Sequence, residues 1–318
     1  MFSYFTISNQ QLVEQPTRES STIWTHISNP SEKVIHQLAK EYNVPHSYFT
    51  SILDDAENSR SEGLQQLTFH KAVLVLLQFP HEVLSSSGFI RFDTYPLALI
   101  ITPDLKIITV SKQPPLFFNF LREHVFPEND ITPTMNLFLQ VLWRLVTAYN
   151  HSLTKIKAQL DELEGQIQVS TENKQLYQLL NLQKSLVLFD AATTANFKTL
   201  KGLSETKMFE QQHAYHHHLH DILVEVSQAM TSVHIQLQLV QQMNNTFSAV
   251  VSNNLNNVMK ILTSLTIVLT IPTIVGGMYG MNVPIPFAEN KNAFLFITFL
   301  TILLCVWTIA YLKKKNLL

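Results

Sequence analysis

Ile261 to Gly280 reads ILTSLTIVLTIPTIVGGMYG, and Ala293 to Leu312 reads AFLFITFLTILLCVWTIAYL. No charged residue occurs between Ile261 and Ala288, and none between Asn292 and Leu312. Each stretch supplies the roughly 20 apolar residues that cross a hydrocarbon core about 30 Å thick. Two buried helices of a soluble protein would show similar runs, but the flanks argue for a membrane. Lys260 precedes the first stretch and Lys313, Lys314 and Lys315 follow the second, whereas the connecting loop carries only Glu289 and Lys291. Positive residues mark the cytoplasmic side. Both termini are therefore expected inside a cell membrane crossed twice, with the loop from about Val283 to Asn292 outside. Trp307 and Tyr311 stand near the inner end of the second span, where interfacial aromatics belong.

Composition agrees with a lipid-facing part. Of 318 residues, 46% are hydrophobic and 14% charged, against about a quarter charged in soluble domains. A formal net charge of −2 and the lack of a long Lys/Arg tract exclude a strongly basic nucleic-acid binder. The single cysteine, Cys305, permits no internal disulfide and no cysteine metal cluster. In its apolar run it reads as a buried, inert thiol. The opening MFSYFTISNQQLVEQ lacks the basic and apolar regions of a cleaved signal. No nucleophile motif, phosphate loop or cysteine–histidine finger is present, so no enzyme activity is expected.

Residues before about 130 read as a mixed sheet with helices, an α+β cytoplasmic domain. STIWTHI predicts a strand, and Ser31 to Asn43 a helix with Ser31 as its N-cap. LTFHKAVLVLLQF, PLALIIT and KIITVS are β-rich, and Pro103-Asp104 between the last two predicts a hairpin turn. From about Thr134 the pattern becomes helical. Leu153, Ile156, Leu160, Leu163 and Ile167 recur at helical spacing. A break at Ser170 to Asn173 precedes a partner helix over Leu176 to Leu200. A third helix is expected from near Thr206, continuing into the membrane as a stalk about 75 residues and roughly 110 Å long.

That third helix carries a polar stripe. Asn256, Thr263, Thr270 and Gly277 repeat every seven residues, as do Met259, Thr266, Thr273 and Gly280. Alternating steps of three and four keep them on one helix face. Ile267, Val268, Ile271 and Ile274 cover much of the rest. Two readings stand on periodicity alone: close helix–helix packing through small residues, or the wet wall of a pore built by several copies. The end of the helix favours the second. With the amino terminus inside, the helix points outward, and its carboxyl end carries partial negative charge and unpaired carbonyls. Asn282 adds a neutral amide oxygen, a hard ligand suited to magnesium or to its bound waters. Gly280 is expected to let the chain turn tightly there.

Tyr279-Gly280-Met281-Asn282 at the end of the first of two carboxyl-terminal spans, with Lys313-Lys314-Lys315 after the second, resembles the CorA family of magnesium and cobalt channels. SNNLNNVMKILTSLTIVLTIPTIVGGMYGMN (residues 252–282) is similar to the family's pore helix without gaps. Looser similarity includes Trp24 and the hairpin around Asp104. The resemblance implies a homopentameric funnel. Its parts would be a cytoplasmic α/β domain over 1–130, a long-helix or stalk region over 131–259 and a pore-lining span over 260–281. An external loop over 282–292, a second span over 293–312 and a basic tail over 313–318 would complete it. It implies a selectivity filter at Tyr279, Gly280, Met281 and Asn282. Asn256, Met259, Leu262, Thr266, Thr270, Thr273 and Gly277 would line the pore, with Met259 and Leu262 in an inner apolar constriction that closes by dewetting. Magnesium is then both cargo and regulator, and cobalt a second substrate.

The resemblance also implies a regulatory magnesium site at Asp221. The opposing position is Ser51, a departure from the family, although Asp54, Asp55 and Glu57 follow closely. His213, His216, His217, His218 and His220 crowd the same helix. His213/His217 and His216/His220 have the four-residue spacing that can hold zinc or cobalt, although a solvated helix surface gives the same pattern. Asp161, Glu162 and Glu164 form an acidic face, either solvated or turned to the Lys313–Lys315 ring as in the family. The alternatives are a zinc or other divalent-cation transporter of the same superfamily, and a membrane-anchored sensor or scaffold that conducts nothing.

Overall fold

The run VLVLLQF, Val73–Phe79, is buried throughout, the pattern of a strand covered on both faces. The computed structural model describes all residues except 56, 65–70, 87, 124, 127–130, 170–172, 212, 282–291, 316 and 318. In it this run opens β5 (Val73–Leu84), which pairs antiparallel with β6 (Ile90–Ile101). β7 (Ile107–Ser111) returns along β6 across the predicted Pro103-Asp104 turn. There Thr102 Oγ1 lies 2.6 Å from Asp104 Oδ1, and Leu105 takes a left-handed φ of 58°. β3 (Trp24–Ser28) runs parallel to β7, and β1 (Phe2–Ser8) antiparallel to β3. β2 (Gln11–Gln15) and β4 (Arg60–Glu62) form the edges, giving the order β2-β1-β3-β7-β6-β5-β4.

Alternation then sorts the side chains. Leu74, Leu76, Ala98, Ile100, Ile108 and Val110 pack under α1 (Glu32–Glu41) and α2 (His46–Thr50), against Ile35, Leu38 and Phe49. The opposite face receives α4 (Pro133–Val169) and α5 (Asn173–Ser204). A 3-10 turn (Leu116–Phe118) and the short α3 (Asn119–Arg122) lead into α4. Phe118 covers Trp24 and His26, and Thr109 Oγ1 accepts the Trp24 indole N–H at 2.9 Å. Burial pushes the His26 imidazole down to about 4. Ser31 does occupy the N-cap of α1, but its side chain makes no capping hydrogen bond.

One amide from α5 completes the sheet where β4 stops. Asn196 Oδ1 accepts the Gln78 N–H (2.9 Å) and the Ser59 hydroxyl (2.8 Å), and Asn196 Nδ2 donates to the Gln78 carbonyl (2.8 Å). The Tyr149 hydroxyl donates to the same carbonyl at 3.0 Å. Gln78 thus bonds a side chain as it would a neighbouring strand. Pro96, which stands opposite Gln78, tolerates its missing N–H because the Gln78 backbone groups are turned the other way.

The periodic face of α4 is buried as predicted: Leu153, Ile156, Leu160, Leu163 and Ile167 are all 4% exposed or less. Asp161, Glu162 and Glu164 are exposed beside it. Of the predicted break at Ser170 to Asn173, residues 170–172 lie outside the described residues and Asn173 opens α5. The third helix departs from expectation at its start. α6 (Lys207–Gln211) is a separate turn whose Phe209 is buried between Phe138 and Tyr215, and the long helix α7 begins at His213. α7 (His213–Tyr279) has 67 residues, about 100 Å at 1.5 Å per residue, and passes through Pro272. α8 (Ala293–Lys314) follows. The chain divides into two compact units, Met1–Asn244 and Asn245–Leu318.

Replacing Asn196 by leucine leaves the Gln78 N–H without a partner inside the protein. We expect a loss of about 2–3 kcal/mol in the first unit, read by chemical denaturation followed at the buried Trp24.

Candidate functional site

Two helices among the described residues are long and apolar enough to cross a membrane, the later part of α7 and the whole of α8. Their mutual face is defined by burial on α7: Ser264 is buried, and Lys260, Val268, Ile271 and Val275 are half-buried. These five positions share one side of the helix, within about 40° of Ser264 at 100° per residue. Asn256, Met259, Thr263, Thr266, Thr270, Thr273 and Gly277 are all exposed. They lie about 180–280° round from Ser264, on the side turned away from α8. The small and hydroxylated stripe is therefore not what packs the two spans together. Leu262 is 53% exposed and borders the stripe at about 160°.

The threonines show what the stripe presents. Thr266 Oγ1 donates to the Leu262 carbonyl at 2.8 Å, Thr270 to that of Thr266 at 2.5 Å, and Thr273 to that of Leu269 at 2.9 Å. Each hydroxyl proton is thereby committed to the helix, and the oxygen's lone pairs remain free to accept. A hydrated cation points the hydrogens of its water shell outward. A wall of acceptors suits it.

Pro272 removes the N–H that would bond the Val268 carbonyl. The Cys305 thiol of α8 points at that carbonyl from 3.8 Å, a weak donor supplied where the helix lacks one. Cys305 is half-buried rather than buried as expected. Further along α8, Trp307 and Tyr311 stack with ring centroids 5.9 Å apart.

α7 finishes at Tyr279, with the Gly280 N–H on the Gly276 carbonyl (3.0 Å) and the Met281 N–H on that of Met278 (3.3 Å). Gly280 does not adopt a left-handed φ, and the turn expected beyond it continues into residues outside those described. A side chain there would crowd the Gly276 carbonyl at 3.3 Å. Asn282 and the rest of the loop to Lys291 lie outside the described residues. At the end of α8, Lys313, Lys314 and Lys315 are exposed.

The candidate regulatory residues occupy separate elements. Asp221 lines a cleft of about 240 Å³ between α4 and α7, with Gln140, Trp143, Arg144 and His218. Asp55 holds Lys112 through both carboxylate oxygens, at 3.0 and 3.1 Å, and Glu57 is paired with Arg60. Asp54 is exposed in the same loop. Among the described residues no three His, Cys, Asp or Glu side chains converge to hold a metal. His216, His217, His218 and His220 are exposed along α7, and His213 begins that helix.

A family model described as CorA-like Mg2+ transporter protein matches residues 19–314. The chain belongs to the CorA family. A cobalt/magnesium transport protein CorA from Methanocaldococcus jannaschii is 23% identical over 307 residues, 92% of this chain and 90% of that one. A magnesium transport protein CorA from Helicobacter pylori is 28% identical over 157 residues, 47% of this chain and 46% of that one. The complete structure of the CorA magnesium transporter from M. jannaschii superposes with a TM-score of 0.78 at 18% identity, covering 99% of this chain and 98% of that one. The cytoplasmic domain of ZntB from Vibrio parahaemolyticus gives 0.58 at 14% identity, over 79% of this chain and 98% of that one. The mixed sheet with its helices, the long helix and the apolar carboxyl-terminal helix are thus the CorA fold.

If the CorA stripe is wet, single cysteines replacing Thr266, Thr270 or Thr273 in a Cys305→Ser background will react with a charged thiol reagent far faster than cysteines replacing Val268, Ile271 or Val275. Equal rates in the two sets would mean a packed, dry stripe.

Proposed function

We propose that this chain is one subunit of a homopentameric channel that admits magnesium, and also cobalt, across the cell membrane. The observation that carries the reading is the acceptor-lined stripe of α7, turned away from α8 in a chain that belongs to a magnesium-transporter family. One helix cannot enclose a pore, so the stripe does its work only when copies gather about an axis. With both termini in the cytoplasm, the carboxyl ends of the five α7 helices converge at the outer surface, where Tyr279, Gly280, Met281 and Asn282 form the filter. Magnesium releases its waters reluctantly, and a ring of amide and carbonyl oxygens can hold the hydrated ion by its shell. Two charges gain about 4.6 kcal/mol per 100 mV on entry, so the flow needs no other energy source.

Met259 and Leu262 form the inner apolar constriction, which closes by dewetting. Thr270 stands where a bulky apolar residue is frequent in the family, so the barrier at that level is lower here. Cytoplasmic magnesium binds between subunits at Asp221 and holds the channel closed. Asp55 is a poor partner for that ion, because Lys112 already neutralises it. The related cobalt/magnesium transport protein supports cobalt as a second cargo.

In liposomes, Asn282→Ala abolishes magnesium uptake while the oligomer still assembles; uptake at the unsubstituted rate would remove Asn282 from the filter. Asp221→Ala reduces the protection that magnesium gives the cytoplasmic unit against protease, and undiminished protection would put the sensor elsewhere.

A further inference from the structure

Hydroxyls in the two spans mostly return to their own helix. Thr266, Thr270 and Thr273 in α7 and Thr301 and Thr308 in α8 each donate to the carbonyl four residues back. Ser264 does not. It is 2% exposed on the α8-facing side, and its Oγ donates to the main-chain carbonyl of Leu317 at 2.7 Å. Leu317 lies just beyond α8, where the chain folds back on itself. The Leu317 N–H bonds the Leu312 carbonyl (3.1 Å), and the Lys315 N–H bonds the carbonyls of Tyr311 and Leu312. Leu312 is buried at the same place, 5% exposed. The segment that carries Lys313, Lys314 and Lys315 is thus tied to α7 at Ser264, two residues or about 3 Å along the axis from Leu262.

We propose that the Ser264–Leu317 hydrogen bond is a latch that sets the rotation of α7 about its own axis and so favours the closed arrangement of the constriction. The proposal rests on the transport reading above. Leu262 (about 160°) and Thr263 (about 260°) lie on either side of a line at about 210° within the stripe, so a rotation of roughly 50° from that line brings one or the other to the axis. Leu262 at the axis makes a dry ring, and Thr263 a wet one. The same rotation carries the Ser264 Cα through about 2 Å at the helix radius and its hydroxyl further. That is enough to break a bond 2.7 Å long. Ser264 is buried, and an unpaired polar group there costs more than it does in water. Opening therefore has to break the latch, and Ser264 acts as a positioning residue through the tail.

The test uses the full chain reconstituted in liposomes, with Ser264→Ala, Ser264→Thr, a stop after Lys315, and the stop combined with Ser264→Ala. Uptake of magnesium is measured against internal magnesium, and amide hydrogen exchange of Leu312–Lys315 is followed on the same proteins. Ser264→Ala and the stop should each raise the half-inhibiting internal magnesium about fivefold, the worth of one hydrogen bond. The combination should do no more than either alone, and Ser264→Thr, which keeps the hydroxyl, should behave as the parent. Exchange at Lys313–Lys315 should quicken in Ser264→Ala with the oligomer intact. Unchanged inhibition together with unchanged exchange in Ser264→Ala overturns the latch, and so do additive effects in the combined variant. A parent protein that passes no magnesium overturns the transport reading instead, while the exchange measurement still decides whether Ser264 holds the tail.

Discussion

A helix that crosses hydrocarbon must find a partner for every polar group inside the protein, because the surrounding lipid offers none. The carboxyl-terminal unit is organised around that constraint. The stripe threonines bond the carbonyls of their own helix, the Cys305 thiol faces the carbonyl that Pro272 leaves unpaired, and Ser264 takes the Leu317 carbonyl. Each solution has a directional consequence. Threonine protons turned inward leave oxygens that can only accept. Proline and cysteine tie α7 to α8 at mid-span. Serine ties the tail to α7 two residues from Leu262. On the polar face, the hydroxyl protons of Thr266, Thr270 and Thr273 are thus satisfied without any ligand.

The same accounting governs the amino-terminal unit, where the solvent is water and the solution is different. β5 is longer than the β4 strand that covers its edge, so the Gln78 backbone would be left unpaired within a buried region. Asn196, 1% exposed on α5, supplies a donor and an acceptor at the spacing of a strand. Ser185 does likewise for β6, accepting the Phe92 N–H at 2.9 Å. α5 is thus fixed to the sheet by polar contacts as well as by Leu182, Leu186 and Phe189, which are 1% exposed or less. Further along the chain, the Asn150 amide donates to Glu225 at 2.6 Å and the Gln236 amide to the Leu153 carbonyl at 3.2 Å, joining α7 to α4.

What the sequence made legible follows from the range over which each signal acts. Apolar runs, the α4 face at Leu153 to Ile167 and the Pro103-Asp104 turn are local patterns, and they lie where they were expected. The β1–β2 hairpin was not legible, because its two-residue loop, Asn9-Gln10, takes two left-handed residues (φ 49° and 62°) without the usual glycine. α6 was merged into the stalk because Phe209 makes its contacts with Phe138, far away in sequence. Asn196 and Ser264 carry no motif at all, since their roles depend on strand β4 ending and on a tail returning. The stripe was legible as a pattern, yet its alternative as a packing face was excluded within the chain only by seeing which side of α7 meets α8.

Orientation of the stripe also bears on why a cation, and not an anion, should be at home on it. Thr266, Thr270 and Thr273 have no hydroxyl proton left to offer without breaking a bond to the helix. An anion would need donors, and the helix backbone offers none outside its first turn. A hydrated cation needs acceptors for the outward hydrogens of its waters, and the threonine oxygens provide them at every level where they occur. Interactions of this kind bear on the water shell and not on the ion itself. They suit any divalent ion that keeps its shell, so the stripe threonines by themselves do not distinguish one such ion from another.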